Sequence, residues 1–164
     1  IEQLAKYGLQ FKDKYLFLNI NWYNQFYKDF KCGNNSVLFN GLSSQYVRTY
    51  DKQQEVVNLL DKKGFKVYQL DCKEDIRINI HLLNQVTYVL TTDTSSFWIA
   101  KALKKDPYVF MTRGRDVLYS PEVQELKLRT RNILKNWRYE MSDITPEEIV
   151  EGFIYSIKKR SILI

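Results

Sequence analysis

Short apolar runs, rich in Val, Ile, Leu and aromatic residues, alternate along this chain with longer segments whose apolar positions recur at helical spacing. Such runs are typical of buried strands, and a period of about 3.6 residues is typical of amphipathic helices. The runs predict five strands, at 14–20, 35–41, 65–71, 87–92 and 107–112. The helical spacing predicts helices at 22–30, 52–64, 74–85 and 96–106 between these strands, and two more at 121–137 and 144–160 after them.

Signals for helix ends support two of these boundaries. Gly64 closes the predicted helix 52–64, where glycine accepts the left-handed backbone that commonly ends a helix. Thr145, Pro146 and Glu148 open the last helix in the order of a capping box, in which the Thr and Glu side chains bond free backbone N–H groups. We therefore expect both ends to be sharply defined.

Strands and helices that take turns, joined by short links, predict a parallel sheet covered on both faces. The fold class is α/β: a Rossmann-like three-layer sandwich of about five parallel strands, with helices on both faces and two C-terminal helices. Residues 1–13 are expected to be a helical or irregular lead-in, and 14–164 a single domain. We assume the common strand order three-two-one-four-five, which places the strand 14–20 at the centre of the sheet.

In such a sheet, ligands bind at the carboxyl ends of the strands, where the chain reverses direction across the sheet. With the assumed order, this point lies between the first and fourth strands, and polar residues follow both. The predicted phosphate-binding residues are Asn19 and Asn21 after the first strand, and Thr92, Asp93, Thr94, Ser95 and Ser96 after the fourth. A helix that begins there presents free N–H groups and a positive dipole end to an anion. Asp, Thr and Ser are also ordinary helix-capping residues, so we expect a side chain of this loop to cap the helix in either case, and capping without a ligand is the alternative.

Composition narrows the class of protein. With 45% hydrophobic and 27% charged residues over 164 positions, the chain is globular, and it has no apolar run long enough to span a bilayer. The first residue is Ile1 and not Met, so we expect a piece of a longer protein. The net charge of +6 is compatible with an anionic partner, but the charged residues are spread over many segments, which favours a solvated surface.

Other chemistries find little support. Cys32 and Cys72 lie far apart, and His81 is the one histidine, so no disulfide framework or metal site is predicted. We expect an intracellular, reducing compartment, cytoplasmic or organellar, with peripheral membrane association left open. The aromatic pair Phe97 and Trp98 is expected to pack into the core, and His81 to lie at the surface or the edge of the core. No catalytic residue is identified.

The stretch VTYVLTTDTSSFWIAKALKKDPYVFMTR, residues 86–113, resembles the donor-binding, C-terminal half of GT-B glycosyltransferases, and within them the heptosyltransferase group of glycosyltransferase family nine. In that family a strand ends in an Asp-Thr-Gly-x-x-His motif, followed by a helix and by a strand after a Pro. The ending MSDITPEEIVEGFIYSIKK, residues 141–159, is similar to the family's last helix. The order of elements agrees over about 14–160, and only these two stretches match residue by residue.

The resemblance implies roles for several residues. Asp93 and Thr94 match the first two motif positions, which in the family face the phosphates and sugar of the donor, while Ser95 stands in place of the Gly and Trp98 in place of the His. Ser95 replaces Gly without penalty unless the turn needs a positive φ. Lys28 is a loose counterpart of a donor-phosphate lysine, and Gln45 lies near the usual ribose-contacting position.

The resemblance also implies an activity: transfer of a glycosyl group from a nucleoside diphosphate sugar, with inversion and without a metal or another cofactor. In the family the acceptor is held mainly by an N-terminal Rossmann domain, so the partner would be such a domain or another protein chain. The alternative is a glycosyltransferase-like domain that has lost catalysis and serves as a basic interaction module, with RNA contacted through 127–138 and with 158–160 as a second basic surface.

Overall fold

The computed structural model describes residues 9–12, 15–18, 32–43, 49–70, 75–111, 131–132 and 140–161. Within these ranges the strands are β1 (Leu9–Lys12), β2 (Tyr15–Leu18), β3 (Ser36–Asn40), β4 (Lys66–Gln69), β5 (Tyr88–Thr91), β6 (Tyr108–Val109) and β7 (Arg131–Asn132). The helices are α1 (Gln53–Lys62), α2 (Ile76–Gln85), α3 (Ser95–Ala102) and α4 (Pro146–Ser161), with a short 3₁₀ turn at Met141–Asp143 before α4. No helix in these ranges is long and apolar enough to cross a membrane.

Five of the strands form one parallel sheet in the order β4-β3-β5-β6-β7. Parallel neighbours need a crossover segment between them, and α1, α2 and α3 supply the crossovers from β3 through to β6. The predicted α/β, Rossmann-like sandwich is confirmed. The predicted strands that begin at residues 35, 65, 87 and 107 all belong to this sheet.

The strand 14–20 was predicted to lie at the centre of the parallel sheet, and this position was wrong. Its described part, β2, pairs antiparallel with β1 in a separate two-stranded sheet and packs against α3. The lead-in likewise contains a strand at Leu9–Lys12 where helical or irregular structure was expected. Antiparallel strands can pair across a two-residue connection, whereas a central place in the parallel sheet requires a distant partner. The apolar run of β2 indicated burial, and it could not indicate which surface would cover it.

A second correction follows for the strand order. The chain runs from β3 to β4 on one side, and then returns past β3 to place β5 on the other side. The reversal therefore lies between β3 and β5, and not between the strand 14–20 and β5 as assumed. The residue that faces Thr91 across this junction is Asn40.

The predicted helix 121–137 was wrong at Arg131–Asn132, which form β7 parallel to β6. Helical spacing is a weak signal where a sheet edge offers backbone partners, because tertiary pairing overrides local preference. The rest of 121–137 and the predicted helix 22–30 lie outside the described residues. Of the two predicted C-terminal helices, the last is confirmed as α4.

Both predicted helix ends are confirmed. At the end of α1, the N–H of Gly64 donates to Asp61 O at 2.8 Å and that of Phe65 to Leu60 O at 3.1 Å, the paired bonds of a Schellman motif. At the start of α4, the N–H of Glu148 donates to Thr145 Oγ1 and the N–H of Thr145 donates to Glu148 Oε2, both at 3.1 Å. These bonds close the capping box that the sequence predicts.

The sheet separates two apolar layers, because successive side chains of a strand point to opposite faces. Val37 and Phe39 of β3 face α1 and α4, and Leu38 between them faces α2 and α3. The first layer is rich in aromatic rings, and Phe153 of α4 contacts Phe65, Tyr88 and Tyr108 there. The sheet that carries the carboxyl ends of β3 and β5 is therefore packed on both faces.

Candidate functional site

The reversal point of the sheet is formed by the ends of β3 and β5. Asn40 and Thr91 are register partners there, and the N–H of Thr92 extends the pairing by donating to Asn40 O at 3.1 Å. Beyond this pair the chain turns towards α1 on one side and enters α3 on the other. In open parallel sheets this is the crevice in which ligands bind.

The Asn40 side chain joins the two loops that leave this point. Its Nδ2 group donates to Thr94 Oγ1 at 3.2 Å and also to Ser96 Oγ. Its Oδ1 accepts from the N–H of Leu42 at 3.0 Å. One amide thus fixes the loop after β3 to the first turn of α3, and we call these three bonds the Asn40 bridge.

Hydroxyl groups complete the lining of the junction. Thr91 Oγ1 lies 2.9 Å from Thr92 O, 3.2 Å from Asn40 O and 3.3 Å from Thr94 Oγ1. Thr94 Oγ1 lies 3.2 Å from Ser96 Oγ. Because each hydroxyl has one proton and several neighbouring acceptors, the network fixes the positions of the oxygens while leaving alternative proton arrangements open.

Helix α3 begins without the side-chain cap that the sequence predicts. Thr94 is in the N-cap position with an extended backbone, φ −141° and ψ −178°, yet its side chain makes no capping bond. Its carbonyl accepts the N–H of Phe97 at 3.0 Å instead. The physical reason is competition, since the Thr94 hydroxyl bonds Asn40. By helix geometry the N–H groups of Ser95 and Ser96 have no acceptor within α3.

Ser95 occupies the motif position of Gly without backbone strain. Among the described non-glycine residues only Lys104 has a positive φ, so Ser95 lies in an ordinary region as the first residue of α3. The side chain of Ser95 is exposed. The Gly-to-Ser change therefore leaves the shape of the turn compatible with a helix start.

The structure brings five of the predicted phosphate-binding residues together, but it exposes them unequally. Ser95 is exposed and Thr94 is half-buried, whereas the residues Thr92, Asp93 and Ser96 are 2%, 6% and 0% exposed. Within the described loop after β5, Thr94 and Ser95 are therefore the residues that reach the surface. The other four predicted contacts, Asn19, Asn21, Lys28 and Gln45, lie outside the described residues.

Asn40 is the residue at this site that sequence reasoning missed. Its signal was an amide at the end of the apolar run 35–41, immediately before Gly41. That signal was interpreted as the end of a strand, because the assumed strand order placed β3 away from the reversal point. With β3 beside β5, the same residue lies at the centre of the junction.

Trp98, which stands at the motif position of His, is a packing residue. It is partly buried and packs against the cluster of Phe97, Val109 and Met111, with its ring centroid 5.1 Å from that of Phe97 in an edge-to-face arrangement. The prediction that the aromatic pair joins the core is confirmed. An indole can donate through its N–H but cannot take up a proton as an imidazole does.

Other groups with acid–base or metal-binding chemistry lie away from this junction. His81 is buried, at 4% exposure, on α2. Burial raises the pKa of the Cys32 thiol, although a hydrogen bond with Tyr68 and the charges of Lys66 and Lys105 act in the opposite direction. Cys72 lies outside the described residues. Within the part of the chain that the structure describes, no cluster of three or more His, Cys, Asp or Glu could hold a metal ion.

Comparison with solved structures finds the same architecture in the ADP-heptose LPS heptosyltransferase II of E. coli. The two structures align with a TM-score of 0.60 at 13% identity, over 86% of this chain and 51% of the other. The chain thus shares the Rossmann-like α/β fold of that enzyme. It spans about half the length of that enzyme. Neither a protein-family profile nor a curated protein sequence matches the chain.

Proposed function

We propose that this chain is the nucleotide-sugar donor-binding half of a glycosyltransferase, corresponding to the C-terminal half of a GT-B enzyme. The observation that carries the proposal is the start of α3, which opens at the reversal point of a glycosyltransferase-like sheet with Ser95 exposed. The structural neighbour supports the proposal, because the name of that enzyme includes ADP-heptose, which is a nucleoside diphosphate sugar. By the family resemblance, the transfer is inverting and independent of a metal.

The diphosphate would bind at the start of α3. The N–H group of Ser95, which is exposed, and the positive end of the helix dipole attract an anion there. The hydroxyls of Thr94 and Ser95 add donors at the surface, while Thr92, Asp93 and Ser96 are buried beneath them and shape the loop. Of the residues outside the described ranges, Asn19, Asn21, Lys28 and Gln45 remain proposed contacts for the rest of the donor.

The acceptor would be held by something other than the described residues. The chain spans about half of its structural neighbour, so a second half of comparable size is the natural source of the opposite wall of the cleft. That wall would exclude water and orient the acceptor, which are the main contributions of positioning to group transfer. We propose an N-terminal domain or a partner chain in this role.

The packing of Trp98 favours a second candidate function, a domain without catalytic activity. An aromatic side chain held among Phe97, Val109 and Met111 supplies no acid–base group where the family has His. The chain would then be a glycosyltransferase-like module without catalysis, which contacts RNA or another anionic partner through the basic stretch 127–138. Charge reversal in 127–138 should abolish RNA binding in this case, and retained binding would remove the candidate.

The experiment that tests donor binding is calorimetric titration of the chain with nucleoside diphosphates and nucleotide sugars, comparing Ser95→Glu with Ser95→Gln. The two replacements have nearly the same size, and they differ by one negative charge at the first position of α3. A carboxylate there stabilises the helix by about 0.3–1 kcal/mol through its interaction with the helix dipole, and it repels a bound diphosphate.

We therefore expect Ser95→Glu to lose binding with its melting temperature maintained or raised. Ser95→Gln should retain most of the affinity, because the backbone amides and the dipole are unchanged. Equal binding by the two variants would show that the ligand does not approach the start of α3. Absence of saturable binding by the folded wild type to every nucleotide tested would refute the donor-binding function of the described domain.

A further inference from the structure

We propose that the amino edge of the parallel sheet is an electrostatic docking surface for a membrane that contains anionic lipids. The charged residues are spread along the sequence, but the fold collects lysines at the edge where the strands begin and the helices end. We call the six exposed ones the lysine face: Lys62, Lys63, Lys66, Lys104, Lys158 and Lys159. The described residues of the candidate site lie at the opposite edge, so the inference goes beyond the proposed function and does not depend on it.

The topology of the sheet brings the first four of these lysines together. In a parallel sheet, each crossover helix ends at the edge where the next strand begins. Lys62 and Lys63 lie at the end of α1, and Lys66 opens the next strand, β4. Lys104 follows the end of α3, before β6. Because β4 and β6 belong to the same parallel sheet, these lysines lie along one edge of it.

Helix α4 adds two lysines to the same edge. Phe153 of this helix contacts Phe65, which precedes β4, and Tyr88, which opens β5. The helix therefore reaches the level of the amino ends of the strands at Phe153, and about two more turns follow. Lys158 and Lys159 lie in these last turns and so extend the lysine face.

The two edges of the sheet differ in charge. Among the described residues at the helix ends and strand starts of the amino edge, the carboxylates are Asp61 and Asp106, against six exposed lysines. At the carboxyl edge, Asp51, Glu55 and Glu147 are exposed. An anionic surface therefore attracts the amino edge and repels the carboxyl edge, which orients the domain.

Helix dipoles account for only part of the positive charge. A helix C-terminus carries the equivalent of about half a negative charge, which a single nearby lysine already exceeds. The ends of α1 and α4 each have two lysines, Lys62 and Lys63 on one and Lys158 and Lys159 on the other. Lys66 opens a strand, where there is no helix dipole to stabilise. The lysine face thus has a surplus of positive charge for a partner.

The chemistry of the face favours lipid headgroups over nucleic acid. Its cations are all lysines, which are hydrated point charges without the fixed geometry with which arginine recognises nucleic-acid phosphates. They come from α1 and α4 on one side of the sheet, from β4 within it and from α3 on the other side. The charge therefore covers a broad surface, whereas a single nucleic-acid strand follows a groove. Clusters of about four to eight basic residues are typical of surfaces that bind anionic lipids.

An aromatic side chain at the same end of α4 suits this partner. Tyr155 is 59% exposed, about one turn before Lys158 and Lys159. Tyrosine is enriched at membrane–water interfaces, because its ring is apolar and its hydroxyl stays in contact with water. Tyr155 would therefore lie at the depth of the headgroups when the lysines contact them.

Co-sedimentation with vesicles tests the proposal. The probe is phosphatidylcholine vesicles that contain about one third phosphatidylserine, and vesicles of phosphatidylcholine alone are the uncharged control. Lys63→Gln, Lys104→Gln and Lys159→Gln each remove one charge from a different part of the lysine face. Lys52→Gln is the matched control, because it makes the same change of net charge beside the start of α1, at the carboxyl edge.

We expect the wild type to bind the anionic vesicles, to bind phosphatidylcholine alone far more weakly, and to lose affinity as salt is added. Each variant of the lysine face should bind the anionic vesicles about fivefold more weakly. Lys52→Gln should change binding by less than about twofold, because four-residue strands separate the edges by about 13 Å, more than the screening length in physiological salt.

Three results would overturn the inference. The first is a folded wild type that does not bind the anionic vesicles. The second is equal weakening by Lys52→Gln and the three variants of the lysine face, which would make the effect one of net charge alone. The third is a gel shift of single-stranded RNA that the same three variants abolish while vesicle binding is unchanged, which would assign the face to nucleic acid.

Discussion

Replacement of Phe153 by Ala should remove a large part of the stability of this domain. Phe153 is fully buried on α4, and its ring centroid lies 5.0 Å from that of Tyr108, 5.5 Å from Phe65 and 5.8 Å from Tyr88. These contacts join α4 to β5, β6 and the residue preceding β4. The side chain therefore connects the last helix to three places in or beside the sheet.

The expected loss follows from the burial and the ring contacts. Truncation of a buried Phe to Ala costs about 3–5 kcal/mol, and the upper half of this range applies where rings meet edge to face and cannot close the cavity. A domain of this kind has a total free energy of unfolding of about 5–15 kcal/mol. Phe153→Leu should lose about 1–2 kcal/mol, which keeps the effect measurable if the Ala variant unfolds.

The assay is urea denaturation followed by circular dichroism, with the free energy extrapolated to water. Tyr155→Ala is the matched control, because Tyr155 is on the same helix and is 59% exposed, and its replacement should change stability by less than about 0.5 kcal/mol. A loss below about 1 kcal/mol for Phe153→Ala would contradict the packing of α4 on the sheet. Similar losses at the two positions would point to helix propensity instead of burial.

Three further outcomes test other parts of the structure. Tyr50→Phe removes the buried hydrogen bond from Tyr50 Oη to Ile144 O at 2.9 Å, so the free energy of unfolding measured in urea should fall by about 1–2 kcal/mol. An unchanged urea midpoint would argue against that bond. Gly64→Ala places a side chain at φ +84°, and should lower stability by about 1–2 kcal/mol in thermal melts. Hydrogen bonds from the Arg77 side chain and backbone lower the pKa of Asp75 to about 2. NMR of the carboxyl carbon should therefore find a pKa near 2 for Asp75, and this pKa should rise towards 3.8 in Arg77→Ala. Because this pKa is lower folded than unfolded, the stability from the pair is present above about pH 4 and is lost as the pH falls towards 2; a titration of Asp75 near 4 in the wild type would exclude the pair.

The candidate site was partly predictable because most of its polar groups belong to consecutive residues. Thr92 to Ser96 lie after an apolar run and before a helix, and the carboxyl end of a parallel strand is where such residues meet a ligand. The exposure of Thr94 and Ser95 and the burial of Asp93 and Ser96 were not predictable, because they depend on what covers the loop. The position of Asn40 beside this loop depends on a partner 51 residues away, since its register partner is Thr91.

By itself, the sequence determined the elements whose signals are local. Gly64 closes α1 because its backbone accepts a positive φ at the position where a helix needs one. Thr145 and Glu148 open α4 because their side chains lie within reach of the two free N–H groups of that turn. The apolar runs of β3 and β5 required burial on both faces, which a parallel sheet between helices provides.

Only the tertiary structure decided which strands are neighbours. An apolar run specifies that a strand is buried but carries no information on its partner, so β2 could equally have entered the central sheet or formed a hairpin with β1. The hairpin places β2 against α3, and β3 takes the position beside β5. Asn40 reaches Thr94 and Ser96 for this reason, because a long-range backbone pairing brings the ends of two distant strands to the same edge.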